Sequence, residues 1–263
     1  MSTSARVKSN TAAISLPLSV FLVLIAALEV AKHADLVPIT IPAPSQIAGA
    51  LPRAGGDLLF HMQPTVIAAV SGLMIGVVLA LLCGAMAAGR ASTEPVIFRM
   101  GLLIDSIPLI ALTPILMLWI GTGMTARITI AALATFFPLL VGAIQGMKAA
   151  DQNAVELFHV MAASRRQRLV KLQIPSALPY LFAAFRIAAP LAVLGALIAE
   201  WGNAERGLGI MMVYALFSFD VPLVWLTIIT VCLLAMTGYA SVALAEKLLV
   251  HWAAPADPIK RPT

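Results

Sequence analysis

Few side chains in this sequence are of types that do chemistry, and most stand apart from one another. Histidine occurs only at His33, His61, His159 and His251. No His-Glu-x-x-His pair is present to hold zinc, and no Gly-x-Ser-x-Gly elbow to raise a nucleophile. Cys83 and Cys232 each lie inside an apolar run, which marks core thiols rather than a disulfide frame or a metal set. No Gly-x4-Gly-Lys-Ser/Thr loop is there to cradle phosphates, so the chain cannot hydrolyse ATP by that route. No catalytic residue, metal site or directly bound cofactor is assigned. What remains is charge set in apolar sequence: Asp105, Arg186 and Glu200, and the dense run ELFHVMAASRRQRLVKLQIP from Glu156 to Pro175. A charge inside an apolar span is costly, and it usually faces a bundle interior or a wet cavity.

The elements that carry these groups follow from composition. The chain has 263 residues, 61% hydrophobic and 11% charged, against about a quarter charged in soluble domains. Too little polar surface is available for a soluble fold, and a membrane solvent is implied. The net charge of +5 is dispersed between apolar runs, which speaks for membrane topology and against nucleic acid.

Spans of about 20 apolar residues are expected at Ile14–Ala31, Thr65–Ala88, Met100–Ile120, Ile128–Met147, Leu178–Ala199 and Val221–Ala245. The first resembles a signal peptide but lacks a small-x-small cleavage site, and is read as an uncleaved span. Residues 33–62, rich in Pro and Gly, are expected to form an external loop with one short helix near Ser45–Leu51, capped by Ser45. Placing the N-terminus in the cytoplasm puts Arg6, Lys8, Arg90, Arg99, Lys148, the 165–171 cluster, Lys247, Lys260 and Arg261 inside. Lys32, Arg53, Arg127 and Arg206 then lie outside, so basic residues favour the inner side. The expected fold is an all-α membrane protein of six transmembrane helices with cytoplasmic N and C termini. Its parts are a tail 1–13, one transmembrane domain 14–250 and a tail 251–263. No internal repeat or low-complexity tract is visible.

Pro108, Pro114, Pro138 and Pro190 interrupt the middle spans, which therefore pack in a bundle or line a path. Gly72 and Gly76 have the spacing of a close helix contact, a spacing also common by chance. Asp105 is open to two readings. It is a polar contact on a solute path, or it is hydrated near the cytoplasmic surface and paired with Arg99 or Arg186. Arg186 is expected to snorkel. Glu200 is expected at the outer interface beside Trp201, a place suited to a gate or a binding role.

The 148–177 loop is too long for a simple reversal. Asp151 or Asn153 can cap a first helix. Val155, Phe158 and Ala162 share one face of it, and Ala154, Leu157 and Met161 the adjacent face. Ser164 then caps a basic helix that Pro175 stops. An amphipathic hairpin on anionic lipid accounts for Arg165, Arg166, Arg168 and Lys171. It explains less of the apolar helix ahead of them, which suits docking into a partner's groove.

These residues resemble the EAA loop of the membrane subunits of bacterial ABC importers. Glu156 stands in the Glu place, Ala162 in the Gly place, and Gln173-Ile174-Pro175 closes the pattern. AASRRQRLVKLQIPSALPYLFAAFRIAAPLAV, IPAPSQI, IPLIALTPILMLWIG and ERGLGIMM are similar to the sulfonate, taurine and nitrate permease branch. The resemblance runs from about Ile41 to Trp252. Leu157 and Phe158 depart from the family's alanines and Ala162 from its glycine. Asp105-Ser106-Ile107-Pro108 stands where many anion transporters have Arg-Pro-Ile-Pro or a neutral variant.

The resemblance implies a type I importer permease in the bacterial inner membrane, working by alternating access. Its implied partners are a second permease subunit, most simply an identical one, two cytoplasmic ATPases that use the ATP, and a periplasmic or lipid-anchored substrate-binding protein. ATPase coupling falls to Glu156, Leu157, Phe158, Met161, Ala162 and Ser164, and the path to Asp105, Ser106 and Glu200. An acid on the path disfavours sulfonate or nitrate and favours a neutral or cationic solute such as a pyrimidine. The rival classes are a membrane enzyme, for which no catalytic cluster is seen, and a stand-alone carrier or channel, for which no inverted repeat is seen.

Overall fold

The computed structural model of the chain describes residues 3–89, 92–202 and 204–252, which are helical or irregular with no strand among them. The helices are α1 (Thr3–His33), α2 (Pro44–Gly89), α3 (Glu94–Asp105), α4 (Leu109–Ile120), α5 (Met124–Lys148), α6 (Gln152–Val160), α7 (Arg165–Arg168), α8 (Ile174–Trp201), α9 (Leu208–Phe217) and α10 (Val221–Leu249). Among the described residues α2, α5, the stretch 166–201 and α10 are long and apolar enough to cross a bilayer. The bent pair α3–α4 makes a fifth such element if counted as one span.

The chain divides into two compact units, one of residues up to 59 with 212–229, the other of residues 60–211 with those from 230 on. In the first, the Ser45 backbone N–H and hydroxyl both donate to the Glu29 carboxylate, Lys32 donates to Pro38 O at 3.0 Å, and Trp225 donates to Thr40 O at 3.2 Å. The loop expected over 33–62 is instead largely helix. Ser45 lies in the first turn of α2, not at its cap. The cap bond runs from Ala43 N–H to Gln46 Oε1 at 3.0 Å, the return half of a capping box.

The second unit is built around α5 and α8, which pack closely against each other. Small residues set their approach. A Cβ on Gly195 would lie 2.9 Å from Ala131 Cα, and one on Gly146 about 3.1 Å from Ala177. In lipid, where burial of apolar surface between helices gains little, such seams let backbones approach and dispersion hold them. Gly72 and Gly76 seat α2 on α5 in the same way, against Ile128 O, Ala132 and Thr135. The Gly-x3-Gly spacing is thus a packing face here. Apolar side chains fill the seams, among them Val77, Leu139, Leu140, Ile144 and Ala188, with Ala68, Ala131, Ala192, Val193 and Ala196 nearby.

The span expected at 100–120 is broken. Pro108 bars its predecessor Ile107 from helix, α3 stops at Asp105, and α4 leaves at 91°. The basic segment is also not stopped by Pro175. The stretch Leu169–Gln173 forms a π-helical turn and α8 follows without interruption, with Pro175 in its first turn. A widened turn relieves the clash between a proline ring and the carbonyl four residues before it.

Candidate functional site

The loop between α5 and α8 is fixed at each end by its own side chains. Asp151 caps α6, accepting from Asn153 N–H at 3.1 Å. The helix then closes with Ala163 N–H on Phe158 O at 2.9 Å and Ala162 N–H on His159 O at 3.0 Å. That pair of bonds is a Schellman motif, and it needs a left-handed residue where Ala162 stands. Ala162 adopts φ 54°, so the alanine takes the conformation that glycine would take freely. Ser164 follows as a reciprocal cap. Its N–H donates to Gln167 Oε1 at 2.8 Å, and its Oγ accepts from Gln167 N–H at 3.2 Å. Arg168 Nη1 meets His159 Nε2 at 2.6 Å, tying α6 to α7.

On this frame the apolar faces separate. Ala154, Val155 and Phe158 turn inward and are half-buried. Leu157, Val160 and Met161, at i, i+3 and i+4, are exposed at 56%, 85% and 70%. The outward stripe is therefore Leu157–Val160–Met161, not Leu157–Phe158–Met161. Val160 was missed, though the 3.6-residue period places it there. Glu156 lies on the rim of a cavity of about 480 Å³ with Lys148, Gln152 and Gln173. Arg166 and Lys171 are exposed, while the side chain of Arg165 lies outside the described residues.

The path residues do not converge. Asp105 and Ser106 line a groove of about 490 Å³ at the α3–α4 break, facing Leu194, Ile198 and Trp201 of α8. This is the end of α8 remote from the loop. Asp105 forms no ion pair among the described residues. The expected pairing with Arg99 or Arg186 is thereby corrected. Arg186 does not snorkel free either, because its guanidinium pairs with Glu246 of α10 at 2.5 Å.

Glu200, next to last in α8, is not exposed there. It is fully buried, accepting from Thr65 Oγ1 and from Gly209 N–H, both at 2.7 Å. Thr65 Oγ1 in turn accepts from Leu208 N–H at 3.0 Å. His61 Nδ1 lies 3.1 Å from Gly207 N, and Arg127 donates to Arg206 O at 2.7 Å. Glu200 thus clasps the 204–209 turn to α2. Gly207 has φ 152°, and any Cβ there would strike the Glu200 carboxyl. Thr65, His61, Arg127 and Arg206 carried no mark in the sequence. One signal was available, since Pro64 cannot bond Phe60 O, and Arg206 Nη2 donates to that oxygen at 3.0 Å.

A broken helix beside a groove and a capped helix outside the spans are arrangements that a membrane transport component uses. The chain belongs to the family of binding-protein-dependent transport system inner membrane components, whose family model matches residues 72–251. It is a permease subunit of an ABC importer, a multi-pass protein of the inner membrane.

The formylaminopyrimidine transport permease protein ThiX of Halalkalibacterium halodurans is 33% identical, over 90% of this chain and 95% of the relative. The riboflavin transport system permease protein RibX of Chloroflexus aurantiacus is 31% identical over 81% of each. The putative aliphatic sulfonates transport permease protein SsuC of Bacillus subtilis is 27% identical over 75% of this chain and 71% of the relative. An inward-facing crystal form of the MetNI methionine ABC transporter aligns with TM-score 0.57 at 20% identity, over 69% of this chain and 93% of that one. That likeness extends to the type I importer permease fold.

Proposed function

We propose that this permease moves a small polar solute inward by alternating access, driven by a separate ATPase that seats on α6. Six crossings with both termini cytoplasmic, as one domain 14–250 between tails 1–13 and 251–263, place the 151–175 loop inside. Two copies of the chain form the path, two ATPase subunits dock on the two loops and consume the ATP, and an external binding protein delivers the solute. Arg165, Arg166, Arg168 and Lys171 rest on anionic lipid beside the docked partner. The relatives named for a pyrimidine, a flavin and sulfonates leave the solute class wide.

The observation that carries the reading is the outward stripe Leu157–Val160–Met161 on a helix capped at both ends. An exposed apolar helix face held rigid outside the spans has the form of a helix-in-groove anchor. Glu156 adds a polar contact at its rim, and Phe158 supports the face from within.

Co-purification tests it. The wild type in mild detergent should carry its ATPase, and Leu157→Asp with Met161→Asp should lose it while the permease stays folded. Retention of the ATPase by that variant would move the coupling surface elsewhere. A wild type that never carries an ATPase would favour a stand-alone carrier.

A further inference from the structure

In its side chains the groove at the α3–α4 break is chemically one-sided. Resting on the permease reading above, we propose that it is a solute site for a planar nitrogen heterocycle bearing amino or ring N–H donors, neutral or cationic, and that it excludes anions such as sulfonate and nitrate.

The volume, about 490 Å³, suits a ring with small substituents. The polar side chains on its wall act as acceptors. The Asp105 carboxylate is exposed and outside every ion pair among the described residues. The Ser106 hydroxyl spends its proton on Leu102 O at 2.7 Å. No Lys, Arg or His lines the groove, and its donors are the first N–H groups of α4, at Leu109 and Ile110. A ligand must therefore bring donors to the carboxylate and can offer acceptors to those N–H groups, whereas an anion meets the carboxylate at close range with no cationic side chain to offset it.

The remaining walls select for flatness. Leu194, Ile198 and Trp201 stand at i, i+4 and i+7, on one face of α8, and Ile107, Pro108 and Ile110 stand opposite. Trp201 is 41% exposed. Its ring can stack on an aromatic ligand and attract positive charge through its face. A lipid chain would fill the apolar walls but leave Asp105 unmatched in a low-dielectric site. The break itself supplies the arrangement. An unbroken helix would carry Asp105 onward along its own axis, whereas the turn at Ser106–Pro108 presents it to the C-terminal third of α8.

The test uses the permease–ATPase complex without its binding protein, so that only the membrane subunits select. Equilibrium dialysis would measure radiolabelled cytosine, methanesulfonate and ethanolamine at up to about 1 mM, the upper end of ordinary KM values. Cytosine should bind, and methanesulfonate should not. Asp105→Asn should weaken cytosine about tenfold or more, the share of a charge-assisted hydrogen bond. Trp201→Leu should weaken it several-fold. Both variants should keep the ATPase, which separates loss of the site from loss of assembly.

The proposal is overturned if the wild type binds no cytosine, if methanesulfonate or ethanolamine binds as well as cytosine, or if neither variant changes cytosine binding. Should Asp105→Asn fail to assemble, the ranking of the three probes and the Trp201→Leu result decide it. A wild type lacking the ATPase would count against the coupling reading instead.

Discussion

Ala162 holds a left-handed conformation in a Schellman turn, at a place where the resemblance sets glycine. An L-residue there costs about 1–2 kcal/mol. Glycine's greater freedom in the unfolded chain gives back about 0.4–1 kcal/mol of that gain. Ala162→Gly should therefore stabilise the turn by about 0.5–1 kcal/mol, and Ala162→Val should destabilise it by more, because a branched Cβ tolerates that region least. Amide hydrogen exchange at Ala162 and Ala163, whose N–H groups close the motif, reads this locally. Slower exchange in the glycine variant is expected, and unchanged exchange in both variants would remove the strain argument. At this position the sequence shows only alanine in place of the resemblance's glycine, and what fixes its conformation is visible only in the bonds. Two orphan carbonyls at the end of α6 are satisfied when residue 162 turns left-handed. The alternative would leave them to solvent and let the basic segment swing. Glu200 shows the opposite limit of residue-scale reading. Its neighbour Trp201 suggested an interface, but its partners Thr65 and Gly209 come from another helix and from a turn nine residues on, and no local pattern encodes the first of these.

At the scale of elements, apolar runs located α5, α8 and α10 well, because about 20 residues without charge leave a helix little alternative in lipid. Proline and glycine were the weaker signals. Over 33–62 they were read as a loop, yet α2 runs unbroken through Pro52, Gly55, Gly56 and Pro64. Pro108 does break its span, and Pro175 is absorbed by a π-helical turn. At two of the tolerated prolines the carbonyl that the ring leaves unbonded four residues earlier finds another donor. For Pro64 that carbonyl belongs to Phe60 and takes Arg206 Nη2 at 3.0 Å, with the guanidinium stacked 3.4 Å from the Phe60 ring centroid. For Pro179 it belongs to Pro175 and accepts from Trp252 Nε1 at 3.4 Å. At Pro64 and Pro179 a distant donor takes the freed carbonyl, and sequence does not announce the donor. A double-mutant cycle checks this. Arg206→Met should destabilise the wild type by about 2 kcal/mol through a lost charged hydrogen bond and ring contact. In a Pro64→Ala background the residue-64 amide can bond Phe60 O itself, so the loss should shrink by about 1 kcal/mol. Additive losses in thermal unfolding of the detergent-solubilised protein would refute the compensation.

At the scale of the molecule, the open matter is whether α3 and α4 together cross the membrane or dip and return, and two other elements decide it. Lys148, at the last residue of α5, bonds Glu94, at the first residue of α3, at 2.6 Å. Ile120, the last residue of α4, joins Met124, the first of α5, through a three-residue turn, 121–123. The bent pair therefore begins at one end of α5 and finishes at the other. Since α5 is long enough to span, α3 and α4 are expected to cross the bilayer between them despite the 91° bend. Charge agrees. A dip and return would put Arg90 and Arg99 on the side opposite Arg166, Arg168 and Lys171, splitting the basic residues across the membrane against the usual inward bias. Single cysteines placed at Thr122 and Ala150, in a chain with Cys83 and Cys232 replaced by alanine, make the distinction. An impermeant maleimide applied to intact cells should label Thr122→Cys and spare Ala150→Cys until the membrane is opened. The reverse pattern, Ala150→Cys labelled and Thr122→Cys spared, would make the pair a re-entrant element. It would also move the α6 surface away from the cytoplasm, where an ATPase could not reach it.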